Sequence, residues 1–196
     1  HGIRRRAAPM LGGDPDRLRM AWSLTFSLPG SPVLLYGDEI GLGDNLELEG
    51  RMAVRVPMQW SDEPNGGFST APPKRLARPL ADGEFGPAQV NVADQRRDPQ
   101  SLLNWMERLI RRRRETPEIG WGTVTLLETE AHALFAQRSD WEGSTVVTVH
   151  NLGEDEAEAT LELGYDVAGV DDLLELREPE LLDSGRLHVA LGRYGY

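Results

Sequence analysis

Between residues 38 and 97 the chain concentrates side chains that could bind a polar ligand. Arg51 and Arg55 each offer a planar donor fork that can hold a carboxylate or hydrogen-bond sugar hydroxyls, and that serves equally well in a structural salt bridge. Trp60 presents a flat aromatic face on which a pyranose can stack, or which can pack beneath the chain around it. Pro57 fixes the backbone and Met58 fills space. Asp38 and Glu39 stand together at the head of this stretch. Adjacent residues on extended chain point to opposite sides. They therefore do not read as the opposed carboxylates, about 5 Å apart, that a retaining double displacement at a glycosidic bond requires. Backbone capping and ion pairing are the competing roles for both.

Other chemistries find little support. The chain has no cysteine, which excludes disulfides, thiolate metal sites and cysteine nucleophiles, and fits a reducing compartment. Its four histidines, His1, His132, His150 and His188, lack metal-ligand spacing, so no metal is expected. There is no G-x-S-x-G, no phosphate loop and no dinucleotide fingerprint, and Gly41-Leu42-Gly43 alone is too short to be one. Arg111–Arg114 sits where a helix dipole favours cations; a solvated helix end and a phosphate or partner site are the two readings.

The elements that must position these groups follow a grammar that changes along the chain. Asp14 can cap a helix with Pro15 at its first position, and Leu18, Ala21, Trp22, Thr25 and Phe26 form its apolar stripe. Leu28-Pro29-Gly30 ends it. The run Val33–Tyr36 lacks alternation and reads as a strand buried on both faces, as in a parallel sheet. Residues 38–97 then form a long loop of the kind that is functional when it is ordered, at the end of a strand where α/β folds meet their ligands. A second helix is expected with Asp98 as cap and Pro99 first, burying Leu102, Leu103, Met106, Leu109 and Ile110. From Gly120 onward come short runs at roughly ten-residue spacing: Val124–Leu127, Ala133–Ala136, Thr145–Val149, Ala159–Leu163, Leu173–Leu176 and Leu187–Leu191. Turn signals at Asp140–Gly143, Asn151–Gly153 and Asp183–Gly185 separate some of them, and the pattern suggests an antiparallel β-sandwich.

Charge divides the chain in the same way. Residues 1–116 hold 17 basic and 15 acidic groups, whereas 117–196 hold 4 and 17, within a net charge of −11. Two domains are therefore expected, 1–116 and 117–196. The acidic half argues against nucleic acid and anionic membranes as partners, and no apolar run approaches the roughly 18 residues of a membrane span. His1-Gly2 followed by Arg4–Arg6 reads as a chain entered partway.

Two stretches carry a family resemblance. Ser31-Pro32-Val33-Leu34-Leu35-Tyr36-Gly37-Asp38-Glu39-Ile40-Gly41 resembles the last barrel strand of the α-amylase superfamily (glycoside hydrolase family 13). Arg51-Met52-Ala53-Val54-Arg55-Val56-Pro57-Met58-Gln59-Trp60 with Pro64-Asn65-Gly66-Gly67-Phe68-Ser69 is similar to the R-x-x-x-R-T-P-M-Q-W…P-N-A/G-G-F segment of its α-glucosidase and trehalose synthase branches. The opening Ile3–Asp14 and Val149-His150-Asn151-Leu152 tilt the resemblance to the latter branch.

The resemblance implies α/β plus all-β structure. The C-terminal fragment of a (β/α)₈ TIM barrel, 1–116 with a long active-site loop at 38–97, would be followed by an antiparallel β-sandwich at 117–196. It implies retaining exchange at an α-glucosidic bond by an aspartate nucleophile, a glutamate acid and a second aspartate. None of these has a match here, so no catalytic residue is assigned and the chain alone is expected to be inactive. Arg55 is implied as an acceptor-side contact, with Gln59, Trp60 and Asp38 as substrate-binding scaffold. Maltose, trehalose or short α-glucosides are the implied ligands, in the cytoplasm. No cofactor is implied, and any structural calcium would lie in barrel segments preceding His1. Self-association, or a partner carrying the remaining barrel, would cover exposed sheet edges. Val56, Leu35 and Met52 stand where the family commonly has threonine, arginine and asparagine. This leaves isomerase, hydrolase and non-catalytic carbohydrate-binding module as the alternatives.

Overall fold

A computed structural model describes residues 3–175, 177, 179–182 and 185–196. The chain divides into two compact units, 1–18 with 33–107 and 19–32 with 108–196. Of the three cuts, those at 18/19 and 107/108 fall inside helices and that at 32/33 does not.

The helices are α1 (Ala7–Met10), α2 (Pro15–Ser27), α3 (Val92–Arg97), α4 (Leu102–Glu115) and α5 (Pro117–Trp121). At the start of α2, Asp14 Oδ1 accepts the backbone N–H groups of Asp16 and Arg17 at 3.0 and 3.2 Å, satisfying donors that a helix start leaves free. Leu18, Trp22 and Phe26 of its stripe are buried. α4 begins later than Asp98 and Pro99 predict. Asp98 Oδ1 instead accepts the N–H of Gln100 in a turn, and the Ser101 hydroxyl accepts the N–H of Asn104 at 3.2 Å. Trp105, Met106 and Leu109 form its buried face, while Ile110, expected inside, is 37% exposed.

In the unit 1–18 with 33–107, the segment Val33–Tyr36 is a correction to the sequence expectation. It is irregular chain running into a turn at Tyr36, not a strand, and Val33 is 85% exposed. A strand exists by pairing, and among the described residues nothing pairs with it; its apolar composition alone does not make a ladder. The loop 38–97 is folded, through 3₁₀ turns at Asp38–Ile40, Gly50–Val54, Pro64–Gly67, Pro73–Arg75 and Gly83–Phe85, and then α3. Ile40, Leu42, Val56, Ala81 and Val92 make its apolar core, with Met58, Phe85, Val90 and Leu103 packed against it.

In the unit 19–32 with 108–196 the strands are β1 (Thr123–Leu127), β2 (Leu134–Trp141), β3 (Ser144–Asn151), β4 (Ala157–Glu162), β5 (Glu180–Leu181) and β6 (Arg186–Leu191). They form two antiparallel sheets ordered β1-β2-β3 and β4-β6-β5. Ala136 of the first sheet shares an apolar cluster with Leu161 and Leu187 of the second, joined by Leu163. Residues 173–175 are bends, not the start of a strand. Leu176, the end of that expected strand, and Asp183 and Ser184, in an expected turn, lie outside the described residues. Among the described residues the sheets form no closed barrel.

Candidate functional site

The loop 38–97 builds a groove of about 460 Å³. Tyr36, Trp60 and Phe68 give it aromatic walls; Val56, Pro57, Met58, Leu76 and Ala77 give it aliphatic ones; and Glu39, Arg55 and Arg78 supply charge. Such a lining, apolar with a few polar groups, is the usual make-up of a small-molecule site.

The groove is held by side-chain amides and backbone hydrogen bonds, which is how a loop without regular structure becomes rigid. Gln59 is fully buried and its Nε2 donates to the carbonyls of Phe85 and Val90 at 3.0 and 2.5 Å. On the main chain, Gln59 and Trp60 accept from Val92 N and Ala93 N at 3.0 Å each, and Trp60 N donates to Gly66 O at 2.7 Å. Asn65, at φ 58°, donates through Nδ2 to Ser69 O and Ala71 O at 2.7 Å. The Tyr36 hydroxyl donates to Val56 O at 2.6 Å, tying the turn at Tyr36 to another lining residue of the groove.

At the head of the loop Arg6 is buried, and its Nη1 donates to Tyr36 O at 2.9 Å and to Asp38 Oδ1 at 3.1 Å. Its guanidinium lies 5.2 Å from the centroid of the Tyr36 ring, in cation–π range. The other carboxylate oxygen of Asp38 accepts Leu35 N at 3.1 Å. Burial pushes the Asp38 carboxyl above the usual carboxylate range, and it outweighs the Leu35 N–H and the Arg6 charge and hydrogen bond, all of which pull it down. Gly37 turns the chain here at φ 86°, where a Cβ would come within 2.5 Å of Leu42 Cδ2.

The structure thus brings Arg55 and Trp60 together on one groove. Both are exposed, Trp60 at 49%. Gln59 and Asp38 lie outside the lining; Gln59 acts on the loop from inside and Asp38 on its first turn. Arg51 is exposed and also stands outside the lining, whereas Glu39 is part of it. Phe68 had appeared only as a motif letter, and Arg78 not at all. Nothing in the local pattern marks Arg78, because its place depends on the path of the turn Pro73–Arg75. Arg6 was legible only as one of three consecutive arginines. Among the described residues no group of three or more His, Asp or Glu could hold a metal ion.

Comparison with known proteins gives a consistent result. Residues 4–122 match the Alpha-amylase family, described as the alpha amylase catalytic domain. The trehalose synthase of Thermus thermophilus is 38% identical over 197 residues, which takes in all of this chain and 20% of that protein. The trehalose synthase/amylase TreS of Mycobacterium tuberculosis is 44% identical over 155 residues, 77% of this chain and 26% of that protein. The chain therefore spans about a fifth to a quarter of the length of these curated relatives. The crystal structure of the trehalulose synthase MutB from Pseudomonas mesoacidophila MX-45 superposes with a TM-score of 0.75 over 97% of this chain and 40% of that one. At 22% identity, that likeness speaks to fold.

Proposed function

The chain belongs to the alpha-amylase family, and from that premise we propose that it forms the C-terminal part of a retaining α-glucoside-processing enzyme, most nearly a trehalose synthase that interconverts maltose and trehalose. The observation that carries this reading is the groove at Arg55 and Trp60, built by the segment that resembles the family's R-x-x-x-R-T-P-M-Q-W stretch.

In this reading the sugar released from the glucosyl-enzyme sits in the groove. Its ring stacks on an aromatic face and Arg55 binds its hydroxyls, so that it stays, turns and reattacks. Holding the acceptor close supplies the proximity that favours transfer over attack by water. The residues of this chain bind and orient; the nucleophile and general acid belong to other segments of the enzyme. The proposed domains are 1–116 as barrel and 117–196 as β-sandwich, the latter supported by the apolar cluster shared between the two antiparallel sheets. The ligands are maltose, trehalose or short α-glucosides. The acidic 117–196 half disfavours nucleic acid and membrane surfaces. No helix among the described residues is long and apolar enough to cross a membrane, and the absence of cysteine supports a cytoplasmic setting. Exposed Ile3, Met10 and Val33 support self-association, or cover by the rest of a barrel.

Assayed alone with maltose and with an aryl α-glucoside, the chain is expected to show no turnover, and genuine turnover would overturn the reading. For an enzyme carrying this segment, the products from maltose separate the two activities: trehalose marks the isomerase, and glucose alone marks an α-glucosidase.

A further inference from the structure

Trp121 ends α5 and Trp141 ends β2, and their ring centroids lie 6.5 Å apart with planes inclined by 36°. Trp121 is 74% exposed, far from the burial expected of so large an apolar side chain in a core. Backbone places it there. The chain passes so close at Gly122 that a Cβ would fall 2.3 Å from Glu118 O and 2.8 Å from Asp140 O, so the residue before it is set against the end of β2. Thr123 then pairs with Asp140, and Trp141 faces Ser144 across the next ladder. Thr123, Glu142 and Ser144, neighbours of the two rings along chain and register, are all exposed and offer hydroxyls and a carboxylate.

Two adjacent indole rings, Trp121 open to water and Trp141 half-buried beside it, bordered by hydrogen-bonding groups, suit a flat ligand with apolar faces and polar edges. The surrounding sequence narrows its charge. With 17 acidic and 4 basic groups in 117–196, the field repels phosphates, nucleic acid and other anions. A sugar ring is neutral, carries C–H groups on its faces and hydroxyls at its rim, and meets these conditions.

We infer that Trp121 and Trp141 form a second carbohydrate platform, sharing no residue with the groove, that takes successive glucose units of a linear maltooligosaccharide. The choice of an α-linked glucan rests on the α-glucoside reading above; the aromatic platform itself does not.

The test is calorimetric titration of the chain with maltoheptaose, followed in parallel by tryptophan fluorescence. Saturable binding is expected, weakened about tenfold or more in Trp121→Ala and largely kept in Trp121→Phe, which retains a stacking face. Arg55→Ala, a groove variant, is expected to leave this binding unchanged while weakening that of maltose. Far-UV circular dichroism checks that each variant is folded. No maltoheptaose binding, equal binding by Trp121→Ala, or loss of binding in Arg55→Ala as complete as in Trp121→Ala would overturn the platform. So would a Trp121→Ala variant altered only in sedimentation, which would make the pair an interface between copies of the chain. If Arg55→Ala leaves maltose binding intact while Trp121→Ala still loses maltoheptaose, the groove reading fails and the platform stands.

Discussion

Acidifying the protein should destabilise it through His150 before the carboxylates with lowered pKa values respond. His150 is 1% exposed, its Nε2 lies 3.1 Å from the Ser23 hydroxyl, and its Nδ1 has no hydrogen-bond partner among the described residues. Burial pushes its pKa down from 6.5 to about 4, and the Ser23 contact only partly offsets this. The unfolded chain therefore takes up a proton near pH 6.5 that the folded chain refuses until near pH 4. Stability is complete above 6.5, falls as the pH drops through that window, and stops falling from this cause below about 4. Linkage gives a loss of about 2 kcal/mol between pH 7.5 and pH 5, and roughly 3 kcal/mol once the folded form also protonates. Urea denaturation of the parent chain and His150→Gln at pH 7.5, 6.5, 5.5 and 5.0 measures it. The variant starts less stable but should lose about 2 kcal/mol less over that range. Parallel pH profiles for the two proteins would refute the assignment. Asp140 and Asp172, whose hydrogen bonds hold their carboxyls below the usual range, add acid sensitivity lower down, whereas Asp38, raised by burial, works in the opposite direction; both proteins carry these groups, so the difference between their profiles isolates His150.

Two further outcomes follow from the bonding already described. Asn151 is fully buried, donates to Gly192 O at 2.9 Å and to Asp155 O at 2.6 Å, and accepts Gly153 N at 2.9 Å, so Asn151→Ala should cost about 3 kcal/mol in urea denaturation. A loss below about 1 kcal/mol would mean that water replaces these bonds. In the longer enzyme, Arg55→Ala should weaken isomerisation more than hydrolysis, read from the trehalose-to-glucose ratio formed from maltose; equal loss of both would make Arg55 a structural residue.

What could be read from the sequence depended on how far apart the interacting residues lie. Asp14 and the stripe Leu18, Trp22, Phe26 are legible because a cap and a 3.6-residue period are local. The competition between Asp98 and Ser101 is local too, but composition does not rank two good capping residues three positions apart. Val33–Tyr36 reads as a strand from its apolar run, yet strand formation needs a neighbour that local pattern does not supply. The loop 38–97 shows no period because its order comes from Gln59, Asn65 and Asn91, single side chains that bind carbonyls several to many residues away. Arg55 and Trp60 drew attention by residue type and motif. The link between Arg6 and Asp38 spans 32 positions and leaves no local trace.

The Gln59 amide, buried between the carbonyls of Phe85 and Val90, separates two jobs that small proteins often load onto the same residues. Folding of the loop runs through inward-facing amides, whereas the side chains of Arg55, Trp60, Phe68 and Arg78 line the groove and take no part in those bonds. Selection can therefore rewrite the display without retooling the frame. On the proposed reading, drift at those four positions would change which sugar is preferred at little risk to foldability, so one loop architecture could serve a lineage of enzymes with diverging tastes.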